Sequence, residues 1–127
     1  MTATTTELGP AIDGLQAALA TARRPGAITS AWRWQVRRQM AALRDALAGE
    51  ASTGADGWTA AREVAALRER NVLLARLGVL GPQVLERPDT DALLGELQRL
   101  VNDVRHHAQR LHDLAYDVVE LELGGSE

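Results

Sequence analysis

The chain has 127 residues and a net charge of -3, and 46% of its residues are hydrophobic, which is enough apolar material for one core. Cysteine is absent, which excludes disulfides, thiolate zinc sites and cysteine nucleophiles. All 14 basic residues are Arg, and the lack of Lys excludes a P-loop lysine and Schiff-base chemistry.

The first two predicted elements are helices, because Ala and Leu dominate the composition and Phe is absent. Residues 8–22 carry apolar side chains at spacings of four and three, and Pro25-Gly26 closes this first helix. The second helix is capped by Thr29 or Ser30 and ends at Gly49. Its apolar stripe consists of Trp32, Val36, Met40, Leu43 and Leu47.

The third predicted helix starts near Trp58, with Asp56 as its N-cap, and runs to about Leu80, where Gly81-Pro82 stops it. Its inward residues are expected to be Val64, Leu67, Leu73, Leu74 and Leu77. Asn71 interrupts this stripe. Since a polar residue at such a position commonly fixes register or oligomeric state, we expect Asn71 to be buried.

The fourth helix has the strongest pattern in the chain, and it follows Pro88-Asp89-Thr90 and continues to Gly124-Gly125. Its seam alternates at spacings of four and three over Leu93, Leu97, Leu100, Val104, His107, Leu111, Leu114, Val118 and Leu121. Four helices with short connections predict an all-α, antiparallel up-and-down four-helix bundle with a long C-terminal helix.

The end of the fourth helix predicts an interface. Counted from the predicted hairpin turn, Trp58 lies level with Leu114, so the fourth helix extends past the third. Its apolar end needs cover, because exposed apolar surface costs about 25 cal/mol per Å². Helices one and two could provide that cover, and so could a second subunit. The second alternative predicts a homo-oligomer, a dimer, through Leu114, Val118, Leu121 and Leu123.

One histidine falls within the aliphatic seam. We expect His107 to be buried and to hydrogen-bond Asp103 on its own helix or Glu63 across the hairpin. Asp103 and His107 lie one turn apart and could share a metal ion or a proton, whereas His106 and His112 point elsewhere around the helix. We therefore expect no metal and no cofactor. A metal or small-molecule site at Asp103 and His107 stays as an alternative.

The second helix interleaves tryptophan and arginine over residues 31–38. Arg33, Arg37 and Arg44 fall near one helical face, and Arg38 lies beside it. Such a face could bind nucleic acid or another polyanion through its phosphates. The net negative charge disfavours nucleic acid, and the acidic fourth helix offers these arginines ion-pair partners.

The charged residues are unevenly distributed along the chain. Residues 1–50 carry six Arg and four acidic residues, whereas residues 88–127 carry three Arg and nine acidic residues, so these two parts should attract each other.

There is no signal-peptide pattern and no run approaching 18 apolar residues. We expect a cytoplasmic protein without a membrane partner, with one helical domain over 1–127 and flexible tails at 1–6 and 124–127.

Tyr116 and Glu120 form a Tyr-x-x-x-Glu sequence in the fourth helix. It resembles the export signal that follows the helical hairpins of small type VII secretion substrates. The small size, the helical character and the Ala- and Arg-rich composition, typical of high-GC bacterial genomes, agree with this resemblance, which implies a secreted protein. The sequence departs from the family at its Trp-x-Gly, because the loop reads Asp56-Gly57-Trp58-Thr59.

The sequence contains no phosphate-binding glycine loop, no Gly-x-Ser-x-Gly and no convergent reactive set, so no enzyme activity is expected. The leading hypothesis is a small helical-bundle protein that acts through protein–protein contacts and self-association. The arginine face of the second helix would then be available to an acidic protein partner.

Overall fold

The computed structural model describes the backbone of residues 4–49 and 58–125 and the side chains of residues 7–49 and 61–116. These parts of the chain form the helices α1 (Thr4–Thr21), α2 (Ser30–Ala48), α3 (Trp58–Glu86) and α4 (Thr90–Gly125). Each helix packs on the next in the chain, and α1 also packs on α4, so α1 is diagonal to α3 and α2 is diagonal to α4. The predicted all-α four-helix bundle is confirmed.

One apolar stripe from each helix builds the core. The stripe predicted for α2 is buried, as are the described seam positions of α4 apart from Leu111, which is partly buried. The fully buried aliphatic side chains are Leu8, Leu15, Val36, Leu43, Leu47, Val84, Leu93, Leu97, Leu100, Val101 and Val104. The heptad spacing of the sequence therefore located the inner face of α4 correctly.

The turn between α1 and α2 is fixed by two hydrogen bonds. The Thr29 hydroxyl caps α2 by accepting the backbone N–H of Trp32 at 3.1 Å. The Trp32 indole Nε1 in turn donates to the carbonyl of Ala18 at 2.8 Å, which ties α2 to α1. Gly26 supplies the positive φ of 74° that this turn requires.

The helix α3 does not stop at Gly81-Pro82, as the sequence predicts, but continues through Pro82 to Glu86. Pro82 cannot donate to the Gly78 carbonyl, which weakens the helix at this point. Packing outweighs this loss, because Val84 is fully buried beyond the proline and its carbonyl accepts a hydrogen bond from Arg33 Nη1 at 2.8 Å. The connection to α4 is therefore only residues 87–89.

The helix ends differ from the predicted tails at 1–6 and 124–127. The helix α1 begins at Thr4, and α4 includes Gly124-Gly125. Adding a turn to an existing helix costs little, since nucleation is the costly step. Asp56, the predicted cap of α3, lies outside the described residues.

The longer α3 changes the register of the hairpin. Arg76 of α3 pairs with Asp103 of α4, and Glu69, seven residues earlier, pairs with Arg110, seven residues later. Continuing this register places Trp58 level with about residue 121, not with Leu114 as predicted. The helix α4 thus extends past α3 by about one turn.

Both helices of the hairpin extend past α1 and α2. The hydrogen bond from Arg33 to Val84 sets α2 against α3, and Ala48, fifteen residues later, lies level with about residue 69. On the other side, Gln16 bonds Gln98, so α1 begins level with about residue 110 of α4. The far end of the α3–α4 hairpin is therefore not covered by the other two helices.

Candidate functional site

The main candidate site is an apolar surface along α3 that faces solvent. We call it the outer face of α3; its apolar members, all exposed, are Ala61, Val64, Val72, Ala75, Val79 and Pro82. Four of the six exposed large hydrophobic side chains in the described part of the chain belong to α3, and they are Val64 (46%), Leu67 (47%), Val72 (59%) and Val79 (62%). Since α3 also buries Leu73, Leu77, Leu80 and Val84, it is apolar on two opposite sides.

Three residues predicted to point inward lie on this exposed side. Val64 and Leu67 are about half exposed, and Asn71 is exposed instead of buried. The sequence pattern had joined them to Leu74, which is only partly buried. They face solvent because the core stripe of α3 begins only at Leu73 and lies on another side of the helix.

Sequence reasoning missed Val72, Ala75 and Val79, although their signal was present. They occur at spacings of three and four, which places them on one helical face beside the core stripe. Together with Arg76, Glu96 and Arg99 they line a groove of about 520 Å³ between α3 and α4. The groove has an apolar floor and a charged rim, an arrangement that suits a docked helix.

The residues predicted to form an interface lie on α4. Leu114 is 5% exposed in the single chain, because α3 extends far enough to cover it. The side chains of Val118, Leu121 and Leu123 lie outside the described residues. Within the described part, the exposed large aliphatic side chains of the hairpin therefore belong to α3, and the large exposed apolar side chain of α4 is that of Tyr116.

A polar cluster occupies the α3–α4 interface at His107, which is fully buried. Its Nδ1 lies 2.6 Å from Glu69 Oε1, and Arg110 donates to both oxygens of the same carboxylate, with Nε at 3.0 Å from Oε1. His107 Nδ1 thus bonds Glu69, a residue that neither predicted alternative, Asp103 or Glu63, named. Partial burial raises the pKa of Glu69, but the hydrogen bonds and charges of Arg110 and His107 outweigh it, so this pKa lies below its ordinary value.

Asp103 is separated from His107 by its own ion pair. Its Oδ2 accepts a hydrogen bond from Arg76 Nη1 at 2.6 Å. No group of three or more metal-ligating residues occurs in the described part of the chain. The geometry thus assigns Asp103 and His107 to two different contacts between α3 and α4.

A cleft of about 540 Å³ lies beside this cluster, between α3 and α4. Its lining includes Glu69, Arg110, Leu114 and Tyr116. The charged groups Glu69 and Arg110 already bond each other, so a charged ligand would have to replace an existing ion pair. This arrangement favours a structural role for the cluster.

The arginines of α2 lie on the side of the bundle away from α4, because α2 and α4 are diagonal. Arg33 bonds the Val84 carbonyl, and Arg37 lies so close to Gly81 that a Cβ there would be 2.2 Å from its Nη1. Within the described residues, no carboxylate forms an ion pair with Arg37, Arg38 or Arg44. The predicted pairing of this face with the acidic fourth helix is absent from these residues.

These arginines line a second groove, of about 430 Å³, between α2 and α3. Arg37, Arg38 and Arg44 line this groove together with Trp34, which is 54% exposed, and with Pro82 of α3. An exposed indole among guanidinium groups can stack on planar groups while the arginines bind anions. The sequence-predicted polyanion residues are thus brought together, with Arg33 turned toward α3.

Tyr116, which belongs to the export-signal resemblance, is 58% exposed on α4, whereas the side chain of Glu120 lies outside the described residues. In the part of the chain that the structure covers, no helix combines the length and apolar character needed to cross a membrane. Comparison with protein-family models, with curated proteins and with solved structures finds no match to this chain.

Proposed function

We propose that this protein is a non-catalytic helical bundle that acts through protein–protein contacts, beginning with self-association through the outer face of α3. The observation that carries the proposal is the second apolar side of α3, with Val72 and Val79 about 60% exposed. A helix that is apolar on two sides is typical of one that packs between two neighbours. One of these neighbours is the bundle itself, and a second copy is the other.

The length of this face suits a helix as its partner. From Ala61 to Pro82 it runs for about 32 Å, or about six helical turns. Covering it releases water from apolar surface, which contributes about 25 cal/mol per Å² before the costs of association. Pairing of this face would remove the exposed side chains of Val64, Val72 and Val79 from water.

Light scattering coupled to size-exclusion chromatography tests this proposal. We expect a dimer at about 100 µM and a monomer after Val72→Glu, because a buried unpaired carboxylate costs several kcal/mol. The matched control is Ala20→Glu, which adds the same charge at an exposed position of α1 and should leave the dimer intact. A wild-type protein that is monomeric at this concentration contradicts the proposal.

A second candidate function is the binding of an acidic protein partner by the α2–α3 groove. It is favoured by Arg37, Arg38 and Arg44, which share this groove with Trp34 and have no carboxylate partner in the described residues. The charge of the whole chain, -3, disfavours nucleic acid as the ligand. Arginine suits a carboxylate partner because its planar group bonds both oxygens.

Fluorescence anisotropy with a labelled polyglutamate peptide tests this candidate, and a labelled DNA oligonucleotide of equal length serves as the competing ligand. We expect salt-dependent binding of the peptide that weakens about tenfold in Arg38→Ala/Arg44→Ala. Arg105→Ala, which removes an exposed arginine from α4, is the control. Tighter binding of the oligonucleotide would replace the acidic protein by nucleic acid, and no binding at low salt would end this candidate.

A further inference from the structure

We infer that two copies of this chain associate through antiparallel α3 helices, with a two-fold axis between Asn71 and Val72. This inference rests on the self-association proposed above and adds the geometry of the contact. This arrangement places the outer face of each α3 against the same face of the other copy. Three features of the sequence and structure support it.

The first feature is a symmetric order of residues about the proposed axis. When two α3 helices cross antiparallel at this point, Val64 of one copy meets Val79 of the other, and Ala61 meets Pro82. All four are exposed in the single chain. Four of the six apolar residues of the face therefore receive an apolar partner in the other copy, while Val72 lies level with Asn71 and Ala75 lies level with Arg68.

The second feature is the environment of Arg68, the one charged residue between Ala61 and Pro82 on this face. Arg68 lies opposite Ala75 of the second copy, where the small side chain leaves room for it. Asp103 of that copy is at the same level, since it pairs with the neighbouring Arg76, and its side chain is 49% exposed. In a parallel pairing Arg68 would instead face Arg68, which costs energy by like-charge repulsion.

The third feature is the position of the axis along the helix. The helix α3 runs from Trp58 to Glu86, so the axis lies at its centre and the two helices overlap over their full length. Asn71 then lies next to its own copy, where the two amides can bond each other. The exposed Asn71 would then fix the register of the two α3 helices, as an amide pair at one position of a helix pair does.

Disulfide cross-linking tests the geometry cleanly, because the chain contains no cysteine. A disulfide needs Cα atoms within about 7 Å, whereas the two copies of residue 64 would be separated by about 22 Å along the axis. We expect Val64→Cys and Val79→Cys to form few homodimers alone. When the two variants are mixed and allowed to exchange subunits, with one of them carrying a mass tag, they should form linked heterodimer. Its yield should be about tenfold higher than the yield of linked homodimer from either variant alone.

Two further variants complete the experiment. Asn71→Cys lies at the axis and should link to its own copy without a mixing partner, while Ala20→Cys on α1 is exposed and should not. Efficient homodimers of both Val64→Cys and Val79→Cys would show a parallel contact and overturn the inference. A dimer by light scattering without any of these links would also overturn it while leaving self-association intact. A monomer would contradict the proposed function itself.

Discussion

At the scale of single residues, burial of His107 is the costly feature of this bundle. It is the one polar residue among the buried side chains of the described chain. A buried imidazole without a partner costs about 1–3 kcal/mol, and Glu69 removes that cost by bonding Nδ1. Arg110 holds the carboxylate in place from the solvent side. The sequence predicted a buried histidine but not its partner, because the partner depends on the register of α3 against α4.

Replacing Glu69 tests the cluster. We expect Glu69→Leu to lower the free energy of unfolding by about 2–3 kcal/mol, because it leaves His107 and Arg110 without their common acceptor. Glu69→Gln should cost less, since its amide oxygen still accepts one hydrogen bond. Urea unfolding measures both, with Glu86→Gln as an exposed control on the same helix. Equal stabilities of Glu69→Leu and the control would show that the cluster contributes nothing.

The lowered pKa of Glu69 also predicts a pH dependence. A carboxyl whose pKa is lower in the folded state stabilises the protein at pH values above the ordinary carboxyl pKa of 4.5. This stabilisation is lost as the pH falls through the folded-state pKa. The wild type should therefore lose its advantage over Glu69→Gln as the pH falls from about 6 to about 3. Unfolding curves over this range give the difference, and a constant difference would disprove the coupling.

At the scale of elements, the sequence predicted helices well where one apolar stripe dominates. The seam of α4 and the stripe of α2 have a single apolar side, so their inner faces follow from spacing alone. The helix α3 carries two apolar sides, and spacing cannot decide which one meets the core. That choice depends on how α3 packs against α2 and α4, which is a property of the assembled bundle. Val64 and Leu67 were therefore assigned to the wrong side.

The predicted stop of α3 at Pro82 is wrong because it, too, depends on packing in the assembled bundle. A proline removes one hydrogen bond, but burial of Val84 beyond it and the contact with Arg33 act only in the folded bundle. We expect Pro82→Ala to raise the free energy of unfolding by about 1–2 kcal/mol, because the new N–H can bond the Gly78 carbonyl. Urea unfolding in a Val72→Glu background separates this effect from association. A loss of stability would mean that the proline shape is required for packing.

At the scale of the whole molecule, unequal helix lengths determine what is exposed. The helices α1 and α2 have 18 and 19 residues, whereas α3 and α4 have 29 and 36. The sequence predicted an uncovered apolar surface at the end of α4. Leu114 is covered there because α3 is longer than predicted, whereas the side chains of Val118, Leu121 and Leu123 lie outside the described residues. The diagonal placement of α2 and α4 likewise follows from the order of the helices, and it keeps the arginines away from the acidic helix.

The proposed self-association predicts that folding of this bundle depends on its concentration. If the folded chain is a dimer and the unfolded chain is not, mass action stabilises the folded state as concentration rises. A tenfold increase contributes about 0.7 kcal/mol per chain, which for a domain of this size raises the Tm by about 2 °C. Calorimetry over two decades of concentration should show this rise in the wild type and in Ala20→Glu. The Tm of Val72→Glu should not change with concentration, because its outer face of α3 can no longer pair. A wild-type Tm that is equally constant would mean that the valines of α3 are exposed without binding a second copy.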